Sequence, residues 1–193
     1  MHILWVLSFV AFAYGLETTR LWQQPPPMKG FNIMPFLGRW FVQFRKAPCS
    51  WAASNEFTDF ETYMTRPNKN TILIKETSRN EICNSATSLL YPGKQPGVFV
   101  VKDPLGDNMS GSYVVVATDY KSWSLTYGCT KMSVSGNKCQ DPWLSVKTRM
   151  PHPKPVVLAQ IDKAMWDLWR AALTDLQPVR HRQSCNSGGM KQG

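Results

Sequence analysis

Five cysteines, Cys49, Cys83, Cys129, Cys139 and Cys185, are the residues best equipped for chemistry. A thiol can pair in a disulfide, hold a metal or attack an electrophile. No two of these cysteines have the close spacing of a zinc site, and beyond His2 the imidazoles are only His152 and His181, so no metal centre is expected. Behind an apolar amino-terminal segment, five cysteines predict two disulfides and one leftover thiol. No Ser-His-Asp set, no pair of inward carboxylates and no phosphate loop accompanies them. No catalytic residue and no cofactor is therefore expected, and the leftover thiol is the single nucleophile to consider. Lys147 is the other group of interest, since a lysine on the inner face of a strand can meet a ligand carboxylate, or else reach solvent at the strand end.

The segment Ile3 to Tyr14 is almost wholly apolar, and Ala13-Tyr14-Gly15 supplies small residues around a cut site. It predicts a signal peptide over residues 1–15, too short to span a membrane, although its start lacks Lys and Arg. The expected localisation is secreted and extracellular, with a soluble mature chain. Apolar content of 43% with 18% charged residues fits one globular domain in 193 residues. The formal net charge is +9. Its basic residues, such as Arg45, Lys46, Lys69, Lys94, Lys147, Arg149, Arg180 and Arg182, are scattered without a dense aromatic-laced run, so no nucleic-acid partner is expected. The charge fits a solvated surface, and is compatible with an anionic membrane surface or a cell-surface receptor. Eight Trp, nine Phe and six Tyr suit either a well-filled interior or a hydrophobic ligand.

Residues 16–30 form an irregular Pro-rich leader around Pro25-Pro26-Pro27, which forbids helix or central strand. From Arg39 the chain alternates apolar and polar residues. Strands are predicted at Arg39–Arg45, Glu56–Met64, Thr71–Thr77, Ile82–Leu90, Val98–Lys102, Ser112–Thr118, Ser122–Met132 and Trp143–Thr148. Arg66-Pro67-Asn68, Tyr91-Pro92-Gly93, Asp103-Pro104 and Ser135-Gly136-Asn137 separate some of them. Eight strands with mostly short links predict an all-β fold, an antiparallel up-and-down barrel that leaves no exposed edge. The period then changes. Val157, Ile161, Met165, Leu168, Ala172 and Leu176 mark an amphipathic helix at about 155–176, which must bury its stripe on the barrel's outside. The barrel domain is expected over 31–185, its tail running back along the barrel, with 186–193 a flexible end.

Three strings carry a resemblance. Phe31 to Phe41, with Gly38-Arg39-Trp40, resembles the first motif of the lipocalins. Tyr113 to Tyr120, with Thr118-Asp119-Tyr120, resembles their second, and Arg149 their third. Within that family, Trp123 to Thr130 followed by Ser135 to Cys139 is similar to the retinol-binding protein and apolipoprotein D group. The resemblance implies that Trp40 plugs the closed end with Arg149 over its indole, a cation–π contact worth about 1–2 kcal/mol when shielded. It implies that Gly38 allows close backbone approach, and that Asp119 ties down its turn. It also implies a Cys129–Cys139 disulfide, which the short spacing and Gly turn allow. Cys185 pairs with Cys83 in one pattern of the family and with Cys49 in another, with Cys83 favoured. A leftover Cys49 in a loop suits chemistry poorly, whereas a leftover Cys83 on a strand would suit an isomerase.

The motifs also fix which side chains look inward. With Trp40 inward, Val42 and Phe44 follow. Thr58, Phe60, Thr62 and Met64 are expected inside, leaving Asp59 and Glu61 in water. Tyr113, Val115 and Ala117 line their strand. On the next, Trp123, Leu125 and Tyr127 face out while Ser124, Thr126 and Gly128 face in. Trp143 and Ser145 share the inward phase of Arg149. Ile72, Ile74, Val98 and Val100 are expected liners, and Trp51 sits in a lid loop. The expected function is a secreted binding or transport protein holding a small hydrophobic ligand of retinoid, bilin, carotenoid, steroid or fatty acid class in a β-barrel cup. The alternatives are a protein-interaction role through surface loops and a thiol-dependent isomerase. A monomer or weak dimer is expected, and an exposed Cys49 would allow a disulfide dimer. Asn108-Met109-Ser110 is the N-glycosylation sequon.

Overall fold

The computed structural model describes residues 24–47, 57–102, 111–131 and 139–185. Trp51, Asn108 and Cys49 lie outside them. One helical turn, α1 (Ile33–Phe36), precedes eight strands: β1 (Gly38–Lys46), β2 (Thr58–Asn68), β3 (Thr71–Arg79), β4 (Cys83–Pro92), β5 (Val98–Lys102), β6 (Gly111–Thr118), β7 (Trp123–Cys129) and β8 (Pro142–Thr148). Each pairs antiparallel with the next, and β1 pairs with both β2 and β8, closing the barrel. The predicted meander is present. β2 and β4 run on through Pro67 and Pro92, which end strands instead of preceding them, and β7 stops at Cys129, short of the expected Met132.

β1 and β2 pair only from Gly38 to Phe41, so they part toward the open end. The carboxy-terminal tail occupies that seam. A short ninth strand, β9 (Gln177–Pro178), pairs with β1 opposite Phe44 and Arg45. Next to it, Val179 N–H donates to Gln43 O and Asp59 N–H donates to Arg180 O, satisfying backbone groups the parted strands leave unpaired. The expectation that Asp59 stands in water is corrected. Asp59 is 2% exposed; its carboxylate accepts from the backbone N–H groups of Arg182 and Gln183 and from Arg79. Burial pushes its acidity the other way, but these donors outweigh it and hold the carboxyl below its ordinary value. Glu61 is buried too, beside Arg39 at 3.8 Å.

Two apolar clusters follow from the strand alternation. The inner one fills the closed end with Trp40, Met64, Ile72, Phe99 and Val115, beneath Phe31 and Phe36. The outer one joins Val114, Leu125, Tyr127 and Val146 to Ile161, Met165 and Trp169 of the second helix, α2 (Pro155–Trp169). That helix has Pro at its first turn. It is shorter than the 155–176 expected. Arg170 caps it in the left-handed conformation (φ 56°), and a 3₁₀ turn (Leu173–Asp175) carries Leu176 into the same outer cluster.

Candidate functional site

The closed end is built around one guanidinium. Arg149 lies 3.6 Å above the Trp40 ring. It donates to four carbonyls, those of Pro35, Leu37, Arg39 and Tyr120. A planar fork can satisfy carbonyls at its rim while its face stacks on indole. Trp40, fully buried, donates from Nε1 to Phe36 O at 2.8 Å. Gly38 has φ +96°, a conformation that favours glycine, and a Cβ there would stand 3.4 Å from the Arg149 guanidinium. The Asp119 carboxylate accepts from the N–H groups of Lys121, Ser122 and Trp123, fixing the β6–β7 turn. Thr118 Oγ1 donates to Trp123 O and accepts from Tyr120 N–H; Tyr120 Oη accepts from Asn32 N–H. Gly38, Trp40, Thr118, Asp119, Tyr120 and Arg149 thus form a structural floor and are not among the residues that line the cavity above it.

Above that floor lies a cavity of about 130 Å³. Phe60, Ile74, Leu90, Val101, Tyr113 and Trp143 give it apolar walls, and Ser88, Ser112 and Ser145 add hydroxyls. Ser112 Oγ is buried and finds no hydrogen-bond partner among the described residues. Lys147 is 2% exposed, and its ammonium donates to Tyr113 Oη at 3.3 Å while lying 5.2 Å from that ring's centroid. The bland alternative, a lysine reaching solvent at the strand end, is therefore overturned. Burial pulls its pKa down to about 8, with Glu76 opposing that shift. Glu76 faces the same cavity; burial pushes its carboxyl up, against the pull of Lys147 and the Thr62 hydroxyl. Burial also pushes the Tyr113 phenol up, so it stays a neutral donor and acceptor.

Of the residues expected inside, Phe60, Ile74, Tyr113, Trp143 and Ser145 line this cavity. Val42 is buried opposite Lys147, while Met64 and Val115 belong to the floor cluster. Thr126 is fully buried and donates to Ser145 O. Phe44 is a correction. The β1–β8 register shifts between Val42 and Phe44, so Phe44 pairs with Val146 and packs on the outer cluster. Arg45 takes the inward place, opposite Ser145 and on the cavity wall. A bulge inserts one residue and reverses every later side chain. The same device between Val115 and Ala117 sends Ala117 outward. Val100 is a second correction: it is 40% exposed, and Phe99 and Val101 face in, opposite Tyr113 and Gly111. Val98 packs on the outer cluster. Thr58 is a third, since it sits at the seam and donates to Asp59 and Arg79 O.

Glu76 was within reach of the sequence, because it continues the Ile72, Ile74 alternation. Arg45 was not, for nothing local announces the bulge. Small residues inside and large ones outside on β7 follow the expected phase. Gly128 pairs with Trp143, whose indole occupies the space a Cβ would need. Two disulfides close the frame, Cys83–Cys185 from β4 to the tail and Cys129–Cys139 across the β7–β8 connection.

No protein-family model matches the chain. Known proteins do. It is 28% identical over 160 residues to the prostaglandin-H2 D-isomerase of Equus caballus, covering 81% of each chain. It is also 28% identical over 139 residues to the apolipoprotein D of Mus musculus, covering 65% of this chain and 70% of that one. Among solved structures, the cockroach allergen Per a 4 superposes with a TM-score of 0.66 at 17% identity, over 83% of this chain and 94% of its own. Lobster apocrustacyanin A1 does so with 0.61 at 13% identity, over 79% and 81%. At those identities the structural likeness speaks for the fold, and the sequence likeness to the first two adds kinship. With the Trp40–Arg149 floor and the closed eight-stranded barrel, these likenesses make the chain a member of the lipocalin family.

Proposed function

We propose that this chain is a secreted carrier of a small amphiphile, held in the barrel with its hydrocarbon part on Phe60, Ile74, Leu90 and Trp143. Its polar end lies against Lys147, Tyr113 and Arg45. The observation that carries this reading is the mixed wall: apolar side chains around Lys147, Arg45 and Lys46, with a Ser112 hydroxyl that has no hydrogen-bond partner among the described residues. A cavity of about 130 Å³ favours a slender chain, as in the fatty acid class, over the broad ring systems of a bilin or steroid. Apolar burial supplies affinity at about 25 cal/mol per Å². A charge-assisted hydrogen bond from Lys147 or Arg45 adds orientation. The two disulfides and the apolar segment Ile3–Tyr14 support an extracellular location.

A thiol-dependent isomerase needs a free thiol at the cavity. Among the described residues Cys83, Cys129, Cys139 and Cys185 are all paired, and Cys49 is the one thiol outside them, which favours carriage over that chemistry. Tryptophan fluorescence tests the carrier reading, because Trp143 is a wall residue. Octanoate and 1-octanol should each quench it saturably at one molecule per chain, octanoate binding roughly tenfold tighter through its charge. Absence of saturable quenching by both would overturn the carrier reading.

A further inference from the structure

We propose that Lys147 captures a lipophilic aldehyde covalently, as a reversible imine inside the barrel. The inference rests on the carrier reading, since the aldehyde's hydrocarbon part must be held by the same walls. An amine that forms an imine must reach a carbonyl carbon, spend part of its time neutral, and have an acid nearby to release water. Lys147 meets each condition by its position. It lines a cavity with apolar walls, and its Nζ is held against Tyr113 Oη at 3.3 Å. Glu76 faces the same space and couples electrically to Lys147. Arg45 and Lys46 from β1 are the other charged residues on the cavity wall; neither lies as deep as Lys147.

The chemistry balances without an added oxidant or reductant. The Nζ lone pair forms a C–N bond as the carbonyl π pair moves to oxygen. One N–H proton is then transferred to that oxygen, giving a carbinolamine. Its hydroxyl leaves as water with a proton relayed by the Glu76 carboxyl, the remaining N–H proton is lost, and a C=N bond remains. Hydrolysis runs the same steps backward and frees the aldehyde. Burial favours the neutral amine, with the pKa pulled down to about 8. At pH 8 it therefore holds roughly a hundredfold more free amine than an ordinary surface lysine.

Reductive trapping tests this. The full-length secreted protein is mixed with one equivalent of octanal and cyanoborohydride, digested and mapped by mass spectrometry, with 1-octanol binding measured in parallel. The expected product is a single lysine, Lys147, heavier by octanal less one oxygen atom, labelled at least about tenfold above any other lysine. Lys147→Met and Lys147→Arg should lose that label while keeping the wild-type far-UV circular dichroism and a cooperative thermal transition, which shows that both variants fold. The trapping rate should rise with pH around 8. Binding of 1-octanol with label spread over surface lysines, or label unchanged in the variants, overturns the imine and leaves the carrier standing. Failure of 1-octanol and octanal alike overturns both.

Discussion

Arg149 performs two tasks with one planar group, stacking on Trp40 and donating to four carbonyls of the chain that crosses the closed end. Removing it leaves those acceptors short of a donor and the indole uncovered. Arg149→Ala should therefore cost about 3 kcal/mol in urea unfolding, with Arg149→Lys recovering less than half because an ammonium cannot fork or stack in the same way. Lys147 and Glu76 set a different expectation, since burial penalises both charges. The native state binds fewer protons than the unfolded chain at Lys147, so this lysine's contribution to stability rises as pH climbs from about 8 to 10.5. Glu76 is shifted up, so its contribution falls as pH rises from 4.5 through its native value. Relative to the Lys147→Met/Glu76→Gln double variant, wild-type stability should pass through a minimum at intermediate pH. Denaturant midpoints across pH 4 to 11, about seven units, check this profile. A flat difference would show that the two groups are not charged against burial.

The strands position these groups, and at this scale the sequence was most and least readable. Period-two runs marked all eight strands because burial of one face demands alternation. The phase of β7 was legible from size alone, small residues inside and Leu125 and Tyr127 outside. Phase failed where a bulge intervened, so Phe44 and Arg45 exchanged roles; on β5, no motif anchored Val100 against Phe99 and Val101. A bulge is set by how neighbouring strands shear to close a barrel, which no local pattern records. Asp59 escaped for a related reason: its partners, Arg182 and Gln183, arrive from a tail far along the chain. The helix overran by several positions because Leu176 continues the stripe after the chain has turned at Arg170. Between β7 and β8, Gly128 and Trp143 act as a unit, the indole lying where a side chain would stand. Gly128→Ala should push Trp143 into the cavity, costing about 1–3 kcal/mol and weakening octanoate. Thermal melts and the fluorescence titration measure both effects; unchanged binding would show that Trp143 does not border the ligand.

The whole molecule is a cup with its rigidity at one end. Trp40, Arg149 and the Asp119 turn lock the floor, while toward the open end β1 and β2 part and the tail fills the seam, tied to β4 through Cys83–Cys185. Such a frame keeps a polar network of Lys147, Tyr113 and Glu76 inside an apolar wall, an arrangement costly to maintain unless something uses it. On the function proposed above, an amphiphile occupies that space. Native mass spectrometry of the protein purified from a eukaryotic expression host, followed by solvent extraction, measures this directly. One lipophile per chain, displaced by octanoate, is expected. Bare protein, an extract without lipophile and no adduct on adding octanoate would contradict that function.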